Sequence, residues 1–370
     1  MKSLRRRPRA LVILSRGVAA LLLTLVAYAV LAPTGRYLAQ AGWEEGRILA
    51  RRQPIARLID SPATDPATRA KLSLVSEARA FAADSVGLRV GQSFTSYTAL
   101  DRDTLVLVLS AAERDALRFH TWWFPIVGRV PYKGYFDFAA ARRAAQALER
   151  DSLDTVLRPA AAFSTLGWFN DPLLSSTLSA DSVSLTNTVI HELTHNTFYA
   201  PGQAVFNESF ANFVGSRGAE WFFRSRADSL RASRARTDWE REKILGRFWA
   251  GVYSQLDSAF RANPESRAAR LAARDTIFAH SRAHFAADVL PLLPGIPQGT
   301  TVRLTLDNAT ALSRRVYRTG LDDFDAVLER EGSVRRAATR IMSLARSRPK
   351  DPYAAVRSWL ASAGAEAPAH

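Results

Sequence analysis

The segment His191-Glu192-Leu193-Thr194-His195 constrains this chain more than any other. On a helix, residues four apart lie on one face, so both imidazoles can reach a single metal ion. Glu192 follows the first histidine directly. There it can take a proton from water held at that ion and later pass it to a leaving amine. The flanks suit a helix. Asp181 or Ser182 can cap its start. Leu185, Val189 and Leu193 recur every four residues as a candidate buried stripe, and Tyr199-Ala200-Pro201-Gly202 stops it.

The chain has no cysteine, which removes disulfides, thiolate metal sites, cysteine nucleophiles and S-acylation together. Any metal must be held by His, Asp or Glu, and the chain contains 6 histidines. A catalytic zinc takes three protein ligands and keeps one position open. A third histidine does not follow the motif, because Phe198 and Pro201 occupy the positions of the His-x-x-Gly-x-x-His extension. After the turn, Phe206 to Gly215 reads as a second helix with Phe206, Phe210, Phe213 and Val214 on its apolar side. Glu208, Ala211, Asn212 and Gly215 share another face. The small residues there let it approach the first helix closely, so that Glu208 is the expected third ligand and Asn212 a supporting partner.

Other candidates carry less. Ser164 to Asp171, with Gly167 and Trp168, either lines the cleft as a strand or is an aromatic core segment. Tyr132, Tyr135, Tyr199 and Tyr317 are candidate donors to the oxyanion of a tetrahedral intermediate. His280 and His284 are also four apart, but no Glu follows His280, and a plain helix surface is the expectation there.

At the N-terminus, Lys2, Arg5, Arg6, Arg7, Arg9 and Arg16 supply six of the net +15 charges, and no acid precedes Glu44. The remaining positive charge is spread over Arg-rich helices with interspersed acids. No nucleic-acid-binding signature accompanies it, so a solvated surface and no nucleic-acid partner are expected. An uncharged apolar run from Gly17 to Ala32 follows the Arg cluster. Residues 1–16 read as a basic cytoplasmic segment and 17–34 as a transmembrane anchor or uncleaved signal; cleavage after Ala27-Tyr28-Ala29 is the alternative. Either reading places the rest on the outer side of the cytoplasmic membrane.

Residues 35–360 then form one domain, and 361–370 a frayed tail. Helices are expected over Tyr37 to Arg51, Ala67 to Ala83 and Phe138 to Arg150. Strand signals lie at Thr104 to Leu109, Trp122 to Pro125, Val130 to Phe136, Thr155 to Leu157 and Thr300 to Leu304. From Asp181 onward the pattern is mostly helical. The fold class is therefore α+β, mostly helical, with a small sheet.

The segment His191 to Gly215 resembles the Putative aminopeptidase family of bacterial HExxH metallopeptidases. The motifs Trp123-Phe124-Pro125-x-x-Gly128-x-Val130-x-Tyr132-x-Gly134-Tyr135-Phe136, Ser164 to Leu173 and Arg52-Gln53-Pro54-Ile55 are similar to that family's as well. The resemblance covers residues 37 to 225 well and the C-terminal third weakly. It implies a zincin-like domain of the glutamate-ligand type, with His191, His195 and Glu208 on Zn2+ and Glu192 as base. The implied activity is a zinc-dependent aminopeptidase that hydrolyses peptides with metal-activated water. Exopeptidase and endopeptidase action both stay open. Many members look like lipoproteins, whereas this chain has no cysteine to lipidate. The competing reading is a non-catalytic, membrane-tethered interaction protein with a structural zinc site, which has no need of Glu192.

Overall fold

Helices begin where the sequence supplies caps. The carboxylates of Asp65, Asp137, Asp181 and Asp307 each accept from backbone N–H groups of the first turn that follows. A computed structural model of the chain describes residues 9–124, 128–160, 172–297, 302 and 304–365. Its early part alternates helices with short strands. These are α1 (Arg9–Leu31), α2 (Pro33–Ala50), β1 (Gln53–Pro54), α3 (Ile55–Asp60), α4 (Pro66–Phe81), β2 (Ser96–Thr98), β3 (Val106–Glu113), β4 (Trp122–Phe124), β5 (Gly128–Val130), β6 (Lys133–Tyr135), α5 (Phe138–Arg150), β7 (Leu153–Ala160) and β8 (Leu173–Leu174). Helices alone follow: α6 (Ser175–Leu178), α7 (Ser182–Thr197), α8 (Ala204–Arg224), α9 (Ser229–Ala262), α10 (Arg267–His284), α11 (Asn308–Val316), α12 (Leu321–Glu331), α13 (Val334–Ser347) and α14 (Pro352–Ala365).

The mostly helical α+β class holds, but the strands make three small sheets rather than one. The order β6-β3-β7 is antiparallel throughout, with Val106 opposite Ala160 and Glu113 opposite Leu153. A second sheet runs β1-β2-β8, with β2 and β8 parallel, and β4 pairs only with β5. Strands of two or three residues offer too few ladder bonds to join one extended sheet, and Pro54 cannot donate at all. The strand expected over Thr300 to Leu304 lies largely outside the described residues.

The membrane helix expected over residues 17–34 is not supported. Residues 17–31 continue α1 from Arg9, and Pro33 then opens α2. The uncharged run from Gly17 to Leu31 rises only about 22 Å as a helix, short of the ~30 Å hydrocarbon core. Among the described residues no helix is long and apolar enough to cross a membrane. At the other end, α14 carries helix to Ala365, five residues into the segment expected to fray, and residues 366–370 lie outside the described residues.

The main core surrounds α7 and α8. Leu185, Val189 and Leu193 on α7 are fully buried, as the stripe implied, against Leu72 and Val75 of α4. Phe206, Phe210 and Phe213 of α8 pack with Phe324 of α12 and Trp239 of α9. Helix α9 has 34 residues and leaves this core to join a second one around Phe248, Trp249, Val252 and Phe278. A buried ionic cluster ties three of these helices together. Asp325 of α12 accepts from both Arg217 Nε and Nη2 at 2.8 Å and from Trp239 Nε1 at 2.9 Å, with Lys243 Nζ 2.8 Å away.

Candidate metal centre

Helix α7 delivers the two histidines. Asp181 caps it, accepting from Val183 and Ser184 N–H, and Phe198 ends it in extended conformation. The chain then turns through Gly202 at φ 74° and enters α8. Asn207 fastens this turn. Its Oδ1 accepts from Ala200 N–H at 2.8 Å, and its Nδ2 donates to Ala200 C=O at 2.9 Å. Both bonds are buried, so the residue before Glu208 is fixed to the end of α7. The two helices then run in close contact. A Cβ on Gly215 would stand 2.9 Å from the Asn187 carbonyl oxygen and 3.1 Å from His191 Cβ. Only hydrogen fits there, and Ala211 is fully buried on the same face.

This approach brings Glu208 to the histidines. His191 Nε2 and His195 Nε2 stand 3.2 Å apart, and Glu208 Oε2 lies 3.4 Å from the first and 3.6 Å from the second. Three donors held at about 2.0–2.2 Å by one tetrahedral ion lie roughly 3.3–3.6 Å from each other. The residues present therefore fit a four-coordinate ion with its fourth position open. The side chains are 15%, 24% and 29% exposed, so the open side faces a solvent-accessible cleft. Among the described residues this is the only group of three such side chains able to hold a metal ion.

The local electrostatics are tightly coupled. Burial alone would raise the Glu208 pKa, but the contacts with His191 and His195 outweigh it and hold the carboxyl far below its usual range. Burial lowers the His195 pKa, yet the Glu208 contact, with the charge of Glu192 added, leaves it raised. Glu192 itself makes no hydrogen bond or ion pair among the described residues.

Tyr317 is brought to this centre from the turn after α11. Three bonds from α8 hold that turn: Asn212 Nδ2 donates to Tyr317 C=O at 3.0 Å, Ser209 Oγ donates to Val316 C=O at 3.0 Å, and Ser209 Oγ accepts from Thr319 N–H at 3.0 Å. Asn212 thus supports Tyr317 rather than a metal ligand, because one helical turn beyond Glu208 it faces the α11–α12 turn. The Tyr317 hydroxyl is raised in pKa by burial and by the charges of Glu208 and Glu192. Arg158 Nη2 approaches its oxygen at 3.5 Å.

The remaining candidates divide. Tyr132 lies close enough for burial and Glu208 to raise its pKa, and it also feels Tyr199. Tyr199 is 61% exposed beside the end of α7. Tyr135 packs elsewhere, under Lys133. Gly167 and Trp168 lie outside the described residues. His284 pairs with Asp288 on the surface of the second core, and neither it nor His280 joins a three-ligand cluster. Sequence reasoning missed the roles of Asn207 and Ser209. Their signal was an amide and a hydroxyl flanking Glu208 at buried helix positions, where polar side chains must find partners.

A family model described as Putative aminopeptidase matches residues 36–355. The match runs well past residue 225, so the shared domain takes in the C-terminal third that supplies Tyr317. No curated protein and no solved structure matches the chain.

Proposed function

Because the chain belongs to the Putative aminopeptidase family, we propose that it is a zinc-dependent peptidase whose centre is His191, His195 and Glu208, with Glu192 as general base. One observation carries this reading: three ligand atoms 3.2–3.6 Å apart beside a glutamate with no hydrogen bond or ion pair among the described residues. Zinc, when bound, supplies Lewis acidity, acidifying water and polarising the scissile carbonyl.

The chain's own residues do the rest. His191, His195 and Glu208 fix the position of the ion. Glu192 takes the proton of the attacking water and returns it to the amine that leaves. Tyr317 donates its hydroxyl proton as a hydrogen bond to the oxygen that gains charge. It stays protonated because burial and the neighbouring carboxylates oppose ionisation. Arg158 approaches the phenol as a donor, so the phenol's own hydrogen is left for this purpose.

The test is metal analysis of the purified protein, with peptide hydrolysis compared between wild type and Glu192→Gln. One bound zinc per chain and a loss of hydrolysis with zinc retained are expected. Unchanged hydrolysis in the variant sinks the assignment of Glu192. Absence of zinc from both proteins sinks the metal reading. We also propose that the domain is exported, from the Arg cluster and the apolar run that follows it. Protease added to spheroplasts, whose cytoplasmic membrane is intact, should degrade it as fully as protease added to lysed cells.

A further inference from the structure

A cavity of ≈ 730 Å³ opens beside the metal centre, between β7, α7, α8, α9 and α11. Asn187 and Asn212 line it, each one helical turn from a ligand, and Tyr317 forms a wall shared with the centre. The cavity is cationic, and its charges are only partly matched. Asp238 pairs with Arg234 and Arg241, both at 2.9 Å, and Glu242 with Arg318 at 2.8 Å. That leaves Arg158 and Arg314. Among the described residues Arg158 meets the Tyr317 hydroxyl and ring alone, and Arg314 has no hydrogen-bond or ion-pair partner.

Arg314 is accessible to solvent yet its pKa is lowered, by burial first and then by the charge of Arg318, with Glu242 opposing the shift and Arg158 adding to it. The two facts agree for a guanidinium on the wall of a cavity, which solvent can reach but protein surrounds. Holding like charges together in such a place costs stability unless an anion joins them. Thr310, Ser313 and Arg318 complete the polar lining on the α11 side of the same cavity.

We infer that this cavity is the carboxylate subsite of the peptidase, and that its substrates are short peptides whose carboxylate reaches Arg314 and Arg158 while a peptide bond lies at the metal centre. Guanidinium–carboxylate bonding is strong and directional, and it suits a planar anion better than a carbonyl. Arg158 and Arg314 make the cavity next to Tyr317 cationic, so anchoring through an anion suits this site. The inference rests on the peptidase reading and narrows it to a substrate class. The carboxylate has two sources, the peptide C-terminus or an acidic side chain.

Equilibrium binding to the full-length, zinc-loaded Glu192→Gln protein tests it without requiring turnover. The probes are trialanine, trialanine amide, and the C-terminal amide of Ala-Ala-Glu. Trialanine should bind about tenfold or more tighter than its amide, the scale of one charge-assisted hydrogen bond. That ratio should fall to near one when Arg314→Gln is added, and recover in part with Arg314→Lys. Arg314 has no hydrogen-bond or ion-pair partner among the described residues, so these variants should keep the parent's melting temperature and zinc content. If the Glu-containing amide binds as tightly as trialanine, the site accepts either carboxylate; if it binds only as weakly as trialanine amide, the site reads the peptide C-terminus. Equal binding of all three probes, no binding of any, or a ratio unchanged by Arg314→Gln overturns the inference. Failure of the peptidase reading shows separately, as wild-type protein that binds trialanine and cleaves none of the three.

Discussion

Gly215→Ala tests the claim that close helix packing makes the metal centre. The added Cβ meets the Asn187 backbone oxygen at 2.9 Å and His191 Cβ at 3.1 Å, and Asn187 Oδ1 sits closer still. The amide side chain can swing away, but the backbone oxygen and His191 move only with α7. Carbon–carbon contacts are comfortable at about 3.5–4.0 Å, so His191 must retreat by roughly 0.4 Å or more. Metal–ligand distances tolerate only about 0.2 Å. The variant should therefore lose zinc affinity by about tenfold or more, as when supporting residues of metal sites are removed. Overpacking costs about 1–3 kcal/mol, and replacing glycine in a helix returns about 1 kcal/mol. The net expectation is a loss near 1 kcal/mol.

Gly218→Ala is the control. It lies on the same helix, where its Cβ would meet only Ile190 side-chain carbons at 3.1 and 3.2 Å. Those methyls can rotate, so the helix gain should leave this variant neutral or slightly stabilised, with zinc affinity unchanged. Urea unfolding of the metal-free proteins and competition with a chromophoric zinc chelator measure the two quantities. If both variants behave alike in stability and in zinc affinity, helix approach at Gly215 does not set the centre.

Further expectations follow from the same contacts. Asn207→Ala strands the buried N–H of Ala200, whose C=O still accepts from Gln203 N–H. At about 1–3 kcal/mol for the orphaned group, the urea midpoint should drop and zinc content with it. Tyr317→Phe keeps the ring but loses the donor, so kcat should fall about 10²-fold with KM little changed; an unchanged kcat assigns the oxyanion to another group. Asp325→Ala strands the buried Trp239 Nε1 and takes one of two carboxylate partners from Arg217 and Lys243, which keep Glu220 and Glu240, at a cost of about 1–3 kcal/mol read by chemical denaturation. The pH dependence follows from the same cluster. Burial would raise the pKa values of Asp325 and Glu220, but their guanidinium and ammonium partners hold both lowered. Folded-state values below the unfolded ones contribute stability that is full above the unfolded carboxylate range, about 3.9–4.3. That stability is lost as pH falls through the folded values. Unfolding midpoints should be flat from pH 7 to 5 and drop below pH 4, and Asp325→Ala should flatten the drop.

Much of the centre was legible in the chain because it is local. The spacing of His191 and His195, the Asp181 cap and the stripe of Leu185, Val189 and Leu193 all follow from helix periodicity, which a linear sequence records directly. Glu208 was legible for a related reason: a short turn returns the chain, and Ala211 and Gly215 advertise a close helix contact. The helices at α2, α4 and α5 were legible for the same periodic reason. The sheets were not, since strands of two or three residues carry almost no pattern, and their partners are set by which edges meet.

The sequence by itself therefore determined a helix with two histidines on one face, a glutamate next to the first of them, and a second glutamate on the helix that follows. Tertiary structure alone decided what surrounds them. Tyr317 reaches the centre from more than 100 residues away because Ser209 and Asn212 hold its turn. Arg158 and Arg314 come from β7 and α11 and meet only because those elements flank one cavity. Such convergence depends on packing between distant segments, and packing energy is spread over many side chains, none of which marks its partner in the sequence.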